Sequence, residues 1–193
     1  AAIIFSDILM IPWAMNAGVH FVTGEGPKLT ALDNPEDVDA LPSHDLLEKL
    51  EPVAEALRLT RLRLDDEKSL IGFCGAPWTV ATYMIEGGSS RDFKKSRQWL
   101  WQNPEAMENL LNRIADESVN LLEMKAKAGA DVLMVFDSWA SAVPAHFQDR
   151  IVTKPMRRIT DGLKARGVNC PIIGFPKAIG EHIIAYAENA GTN

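Results

Sequence analysis

The chain has 193 residues, of which 47% are hydrophobic and 24% are charged, a composition typical of a globular protein. Its formal net charge of -6 argues against binding to nucleic acid or to a membrane surface, although a few local cations would suffice to bind an acidic ligand. No apolar run approaches the roughly 18 residues of a membrane span. Two widely separated cysteines, Cys74 and Cys170, predict reduced thiols and a cytoplasmic protein rather than a disulfide framework.

Four short apolar runs predict β-strands. Each run is nearly all apolar instead of alternating, which is typical of a strand that is covered on both faces in a parallel sheet. The runs are Ala2–Phe5, Ser69–Phe73, Asp131–Phe136 and Pro171–Phe175. Residues 17–24 predict a further strand of the hairpin type.

Helices are predicted between these strands. Asp45–Arg61 has apolar residues at helical spacing, and Ala145–Ala165 predicts another helix. The long helix Pro104–Ala128 has the clearest boundaries, because Asn103 suits its N-cap and Gly129 its C-terminal end.

Alternating strands and helices with long crossovers predict a parallel α/β fold. A doubly wound sheet is one architecture, but neither GxGxxG nor GxxxxGK[ST] follows any strand. A (β/α)8 barrel instead predicts polar or small residues at the carboxyl ends of its strands. The predicted strands end at Ser6-Asp7, Cys74-Gly75-Ala76, Asp137-Ser138 and Pro176-Lys177. Four strand–helix units are about half of a barrel, so we expect a partial (β/α)8 TIM barrel.

Two of these strand ends carry candidate functional residues. Asp7 accepts hydrogen bonds, so it can bind several N–H donors or stabilise a developing positive charge, or else cap the following helix. Ser138 has no GxSxG frame and no histidine near it in sequence, which argues against a nucleophile. Two roles remain open for Ser138: a hydrogen bond to a ligand carboxylate, or capping of the next helix. Tyr83 adds a phenol in the helix after the second run.

The histidines and cysteines show no metal-binding pattern. His20, His44, His146 and His182 do not have the spacing of metal ligands, and no HxC, HExxH or CxxC occurs. Cys74 stands at a strand end, but no neighbouring histidine or lysine in sequence indicates a reactive thiol.

Five segments together resemble one known family, in the same order and along nearly the whole chain. They are IIFSDIL (residues 3–9), GEGP (24–27), Ile71–Ser90, Gly129–Ser141 and Phe175–Lys177, and they resemble uroporphyrinogen decarboxylase of the bacterial type. The resemblance implies a single (β/α)8 barrel, a homodimer, and decarboxylation of the four acetate side chains of uroporphyrinogen III to coproporphyrinogen III in haem and chlorophyll synthesis. It also implies that no metal or organic cofactor is needed.

The resemblance implies roles for five residues of this chain. Asp7 would bind the pyrrole N–H groups and stabilise the cation of the reaction. Tyr83 would line the cleft near a substrate carboxylate, and Ser138 would bind an acetate or propionate group. Phe5 and Phe136 would form apolar walls of the substrate cleft.

The chain also departs from the family pattern. The family's N-terminal arginines and C-terminal histidine are absent, so residues 1–193 are expected to be the central part of one barrel domain, with both terminal parts missing. Ser141, Ala178 and Ile179 stand where glycine is common. We expect the chain by itself to be inactive.

Two alternatives remain. The first is an inactive fragment that only binds tetrapyrroles or associates with a partner. The second is a corrinoid-dependent methyltransferase of the same superfamily, which binds zinc through a His-x-Cys pair and a later Cys. The PIIGFP segment (residues 171–176) offers neither His nor Cys at its end, which argues against the methyltransferase.

Overall fold

The computed structural model describes residues 1–24, 26–42 and 46–193. Three residues named in the sequence predictions lie outside these ranges. They are Glu25 of the GEGP segment, His44, and Asp45 at the start of a predicted helix.

Four parallel strands form the main sheet, and two short strands form an antiparallel hairpin. The strands are β1 (Ala2–Ile3), β2 (His20–Val22), β3 (Gly26–Lys28), β4 (Leu70–Gly75), β5 (Val132–Asp137) and β6 (Ile172–Pro176). The parallel sheet has the order β1-β4-β5-β6, and β2 pairs with β3. All four predicted strands and the predicted hairpin strand are therefore confirmed.

Helices fill the connections of the sheet. They are α1 (Met10–Ala14), α2 (Pro35–Asp39), α3 (Leu46–Arg61), α4 (Pro77–Glu86), α5 (Lys94–Gln102), α6 (Pro104–Lys127), α7 (Lys154–Ala165) and α8 (His182–Asn189). The predicted boundaries of α6 are confirmed, since Asn103 is its N-cap and Gly129 follows its end at φ +105°.

The predicted helix Ala145–Ala165 is wrong over its first part. A 3-10 turn at Ala145–Phe147 and a π-turn at Asp149–Thr153 precede α7. Pro155 explains the break, because it has no N–H for a helical bond and fits only the first turn of a helix.

The core lies between the sheet and the long helices. Helix α6 packs against β4 and against α3, α4 and α7. At the α6–α7 contact, a Cβ on Gly162 would lie 2.7 Å from Cγ2 of Val119, so glycine allows the two helices to approach closely.

The prediction that every strand is covered on both faces holds for β4 but not for β5 and β6. Leu133 and Val135 of β5 are buried on the helix side, whereas Met134 and Phe136 on the other side are only partly buried. On β6, Ile173 and Phe175 are exposed. Four parallel strand–helix units with one open face are the arrangement of a partial (β/α)8 barrel, in which the open face corresponds to the barrel interior.

In the part of the chain that the structure describes, no helix is both long and apolar enough to cross a membrane.

Candidate functional site

The carboxyl ends of the parallel strands meet at one edge of the sheet, as predicted. The ends of β4 and β5 are joined by a 2.8 Å hydrogen bond from the Ala76 N–H to the Phe136 carbonyl. The Lys177 N–H donates to the Asp137 carbonyl at 3.0 Å and joins β6 to β5 in the same way. This edge places the candidate residues of different strands in one region.

Asp7 begins a tight turn four residues after Ile3, the last residue of β1, and is partly buried. Its Oδ1 accepts a 2.8 Å hydrogen bond from the Leu9 N–H, and its carbonyl accepts from the Met10 N–H at 3.3 Å. The N-cap position of α1 is Leu9, without a side-chain bond, so Asp7 does not cap the helix itself but closes the turn that leads into it. Within the described residues, no side chain donates to Oδ2, which leaves this oxygen able to accept from a ligand.

Gly75 allows this turn to lie against the end of β4. A Cβ at residue 75 would stand 3.0 Å from Cβ of Ile8 and 3.1 Å from the Ile8 carbonyl oxygen. The small residues that the sequence places after the second run therefore bring the turn carrying Asp7 close to β4, where α4 begins with Pro77.

Tyr83 of α4 is partly buried and lies within the electrostatic influence of Asp7. Burial raises the pKa of the Tyr83 phenol, hydrogen bonding with the Trp139 side chain opposes this shift, and the Asp7 carboxylate adds to it. The phenol therefore stays protonated at neutral pH and can donate a hydrogen bond to a carboxylate.

Ser138 follows β5 in a turn that the neighbouring residues hold. The Thr79 hydroxyl donates to Oδ1 of Asp137 at 2.6 Å and accepts from the Trp139 N–H at 3.1 Å. The Trp78 indole N–H donates to the Trp139 carbonyl at 2.9 Å. Ser138 does not cap the 3-10 turn that follows, whose N-cap is Trp139 without a side-chain bond, so the helix-cap alternative for Ser138 is wrong.

Four phenylalanines form a row across the open face of the sheet. Ring centroids are 6.3 Å apart for Phe5 and Phe73, 5.6 Å for Phe73 and Phe136, and 5.9 Å for Phe136 and Phe175. Only Phe5 and Phe136 were predicted from the sequence. A signal for the other two exists, because each of the four predicted apolar runs ends in phenylalanine.

The row of rings and the strand-end polar groups define what this site can do. The rings offer an apolar surface, and Asp7, Tyr83 and Ser138 follow the strands at its edge. When a ligand covers the rings and excludes water, a carboxylate at their edge stabilises positive charge more strongly than it does in water. The geometry suits a large, apolar ligand that carries acidic substituents and becomes cationic during reaction.

Two further buried side chains lie near the site: Cys74, predicted from the sequence to be an unreactive thiol, and Lys125, which was not identified from the sequence. Cys74 is buried, and burial raises the pKa of its thiol to about 11, so it is an inert core residue. Lys125 of α6 is buried too, and its ammonium group bonds to Ser6 beside Asp7. Among the described residues, no three His, Cys, Asp or Glu side chains group together as metal ligands.

One departure from the family pattern has a visible structural consequence. Ala178, two residues after β6, has φ +58°, in the left-handed region that favours glycine. Ser141 lies in the 3-10 turn Ala140–Ala142 and does not share this conformation.

The comparisons with known proteins agree on one family. The family model described as uroporphyrinogen decarboxylase (URO-D) matches residues 1–193. Curated relatives named uroporphyrinogen decarboxylase are 43% identical in Granulibacter bethesdensis, 44% in Maricaulis maris and 46% in Caulobacter vibrioides. These matches cover 100%, 99% and 97% of this chain, and 57%, 55% and 53% of the relatives. The chain therefore spans about half the length of the curated relatives it matches.

A solved structure supports the fold. A methyltransferase from Methanosarcina mazei superposes with a TM-score of 0.79 at 19% identity, covering 100% of this chain and 56% of that chain. At this identity the similarity shows the partial barrel and carries no information about activity. Sequence motifs, strand-end geometry and the family match together show that the chain belongs to the uroporphyrinogen decarboxylase family.

Proposed function

We propose that the protein containing this chain is a carboxy-lyase that converts uroporphyrinogen III to coproporphyrinogen III by decarboxylating four acetate side chains. Residues 1–193 form the central part of its single barrel domain. The observation that carries this proposal is the position of Asp7, which follows β1 two residues after Phe5, the first ring of the phenylalanine row on the open face of the sheet. The curated relatives are named for this activity.

The proposed chemistry needs a sink for electrons. Protonation of the pyrrole carbon next to the one that bears the acetate makes the ring cationic. The carbon–carboxylate bond then breaks, its electron pair flows into the ring, and carbon dioxide leaves. Protonation of the resulting methylene carbon gives a methyl group, and loss of the first proton from the ring carbon restores the aromatic pyrrole, so each acetate consumes one proton overall.

Asp7 serves this sequence by stabilising the cationic ring more than the neutral one. Its Oδ1 is bound by the Leu9 N–H, which fixes the orientation of the carboxylate. Oδ2 then accepts from the pyrrole N–H groups, whose acidity increases when the ring becomes cationic. Asp7 thus stabilises the transition state more than the bound substrate, and this difference lowers the activation barrier.

Tyr83 and Ser138 bind substrate carboxylates, and the aromatic row binds the macrocycle. The protonated phenol of Tyr83 donates to an acetate or propionate, and the Ser138 hydroxyl donates to another from the turn held by Thr79. Phe5 and Phe136 are walls of the cleft, and Phe73 and Phe175 extend them.

Oligomeric state, compartment and cofactor requirement are also part of the proposed function. The enzyme acts as a homodimer in the cytoplasm without metal or organic cofactor, and it binds neither nucleic acid nor membrane. The free thiols of Cys74 and Cys170 are consistent with a reducing compartment. The isolated chain 1–193 is inactive, because its four-stranded sheet leaves one face of the cleft open.

The test is an anaerobic assay of the complete protein with uroporphyrinogen III, with products separated by their number of carboxylates. We expect stepwise loss of four carboxylates and accumulation of coproporphyrinogen III. A folded complete protein that binds the substrate without turnover would instead support the binding-only alternative. The same assay on residues 1–193 is expected to show no product, and measurable turnover there would overturn the inactivity of the isolated chain.

A further inference from the structure

Lys125 is a buried lysine whose ammonium group reaches the end of β1. Its side chain is among the largest fully buried ones, with an exposed fraction of 2%. Nζ donates to the Phe73 carbonyl at 2.5 Å and to Oγ of Ser6 at 3.1 Å, and it lies 4.8 Å from the centroid of the Phe73 ring. The lysine thus joins helix α6 to β4 and to the segment that follows β1.

Nζ of Lys125 occupies the place of a backbone hydrogen bond that would extend the β1–β4 ladder. The register is Ala2↔Leu70 and Ile3↔Ile71, and the Ala2 N–H donates to the Ser69 carbonyl at 2.8 Å. Bonds of a parallel ladder repeat every two residues, so continuation of this pattern would join the Ser6 N–H to the Phe73 carbonyl. The strand ends at Ile3 instead, and the Phe73 carbonyl accepts from Lys125.

The route of the side chain is fixed by packing. Cβ of Lys125 lies 3.0 Å from the point where a Cβ on Gly72 would stand, so the absence of a side chain on Gly72 gives the lysine its path along β4. Any larger residue at position 72 would obstruct it.

We propose that Lys125 is a positioning residue for Asp7: it replaces the last ladder bond between β1 and β4 and thereby fixes the backbone from which the Asp7 carboxylate projects. The inference rests on the proposed function of Asp7 in decarboxylation. Because Ser6 immediately precedes Asp7, a shift at the Ser6 hydroxyl moves the carboxylate relative to a substrate held by the aromatic row.

The contacts of Lys125 favour positioning over simple core stability. Its hydrogen-bond partners are a hydroxyl and a carbonyl, and its ring contact is to Phe73, so none of these contacts neutralises its charge. Desolvation lowers the pKa of Lys125 to about 8, which shows that the charge is costly to bury. An apolar side chain of similar size would fill the same space without the desolvation cost of a buried charge, but it could not donate hydrogen bonds to Ser6 and Phe73.

The test compares four variants of the complete protein. Lys125→Met removes the donor, Lys125→Gln restores a neutral donor, and Ser6→Ala removes only one acceptor. Lys127→Met is the matched control, since Lys127 lies on the same helix but is exposed and pairs with the nearby Glu123. We expect Lys125→Met to lower kcat about 10- to 100-fold with KM nearly unchanged, as small misplacement of a catalytic group does. Lys125→Gln should recover most of this loss, and Lys127→Met should have no effect.

Amide hydrogen exchange gives a readout that does not depend on activity. The Leu9 N–H, which donates to Oδ1 of Asp7, should exchange about tenfold faster in Lys125→Met and Ser6→Ala than in wild type, and be unchanged in Lys127→Met. Unchanged Leu9 exchange together with unchanged kcat overturns the positioning role. The wild-type protein could lack decarboxylase activity while Leu9 exchange still accelerates in Lys125→Met. In that case the proposed function fails, but Lys125 still holds the backbone at Asp7. If Lys125→Met does not fold, Ser6→Ala decides by the same two readouts.

Discussion

The Thr79 hydroxyl donates a 2.6 Å hydrogen bond to Oδ1 of the buried Asp137, and this bond ties the end of β5 to the first turn of α4. The same hydroxyl oxygen accepts from the Trp139 N–H, so Thr79 bonds to both neighbours of Ser138. Desolvation raises the pKa of Asp137 to about 7, although the bond from Thr79 opposes the shift. A carboxyl group that is half protonated at neutral pH therefore lies next to a residue of the site.

Asp137 should make stability depend on pH. Burial raises its pKa from the ordinary value of 3.8 to about 7 in the folded protein, so between these two pH values the folded state holds a proton that the unfolded state has released. Stability contributed by this group therefore falls as pH rises from about 4 to 7, by an amount on the order of 4 kcal/mol. Asp137→Asn removes the ionisation and can still accept from Thr79.

The measurement is the urea midpoint of the complete protein and of Asp137→Asn at pH 5 and at pH 8. We expect the variant to gain stability relative to wild type at the higher pH. Comparing the two proteins cancels the titration of the other carboxylates. Parallel pH trends in both would show that Asp137 is not the group responsible.

Asp7→Asn in the complete protein should lower turnover of uroporphyrinogen about 100- to 1000-fold, the loss that follows removal of one electrostatic stabiliser. Stability should change little, because Asp7 is only partly buried and an asparagine Oδ1 still accepts from the Leu9 N–H. Steady-state kinetics and a thermal unfolding scan of the same sample separate the two effects. Wild-type turnover in this variant would remove Asp7 from the mechanism.

Much of this site was predictable from the sequence because strand ends are local features. An apolar run followed by Ser6-Asp7 or Asp137-Ser138 indicates both the strand and the polar residues after it, and parallel topology then brings them to one edge. The repeated phenylalanine at the end of each run also indicates the aromatic row, although only Phe5 and Phe136 were identified.

The remaining features depend on contacts between distant residues. Lys125 is separated by 119 residues from Ser6; helical spacing from Leu121 and Leu122 places it on the buried face of α6, but its partners on other elements cannot be read from the helix. The burial of Asp137 is equally invisible in sequence, because it arises from packing against α4. The break before α7 was missed because helical periodicity outweighed the signal from Pro155.

Ala178→Gly should stabilise the complete protein by about 0.5–1 kcal/mol. A non-glycine residue at φ +58° carries a strain of roughly 1–2 kcal/mol, and the added freedom of glycine in the unfolded chain offsets roughly half of the gain. Gly180 provides the matched control, since it has φ +60° and nothing within 4 Å of an added Cβ. Gly180→Ala should therefore destabilise by a similar amount, and thermal unfolding of both variants measures the pair. Destabilisation by Ala178→Gly would mean that the alanine methyl group contributes more to folding stability than the backbone strain at residue 178 removes.

The isolated chain 1–193 should self-associate through the open face of its sheet. Phe5 is 81% exposed there and Phe175 is 44% exposed, and the sheet has edge strands β1 and β6. Apolar side chains beside unpaired strand edges favour association between copies. Phe5→Ser should therefore shift the sedimentation profile towards smaller species. Leu62→Ser is the control, because Leu62 is 82% exposed but follows α3, outside the sheet. Equal effects of the two substitutions would show that general surface hydrophobicity, and not the face that carries the aromatic row, drives the association.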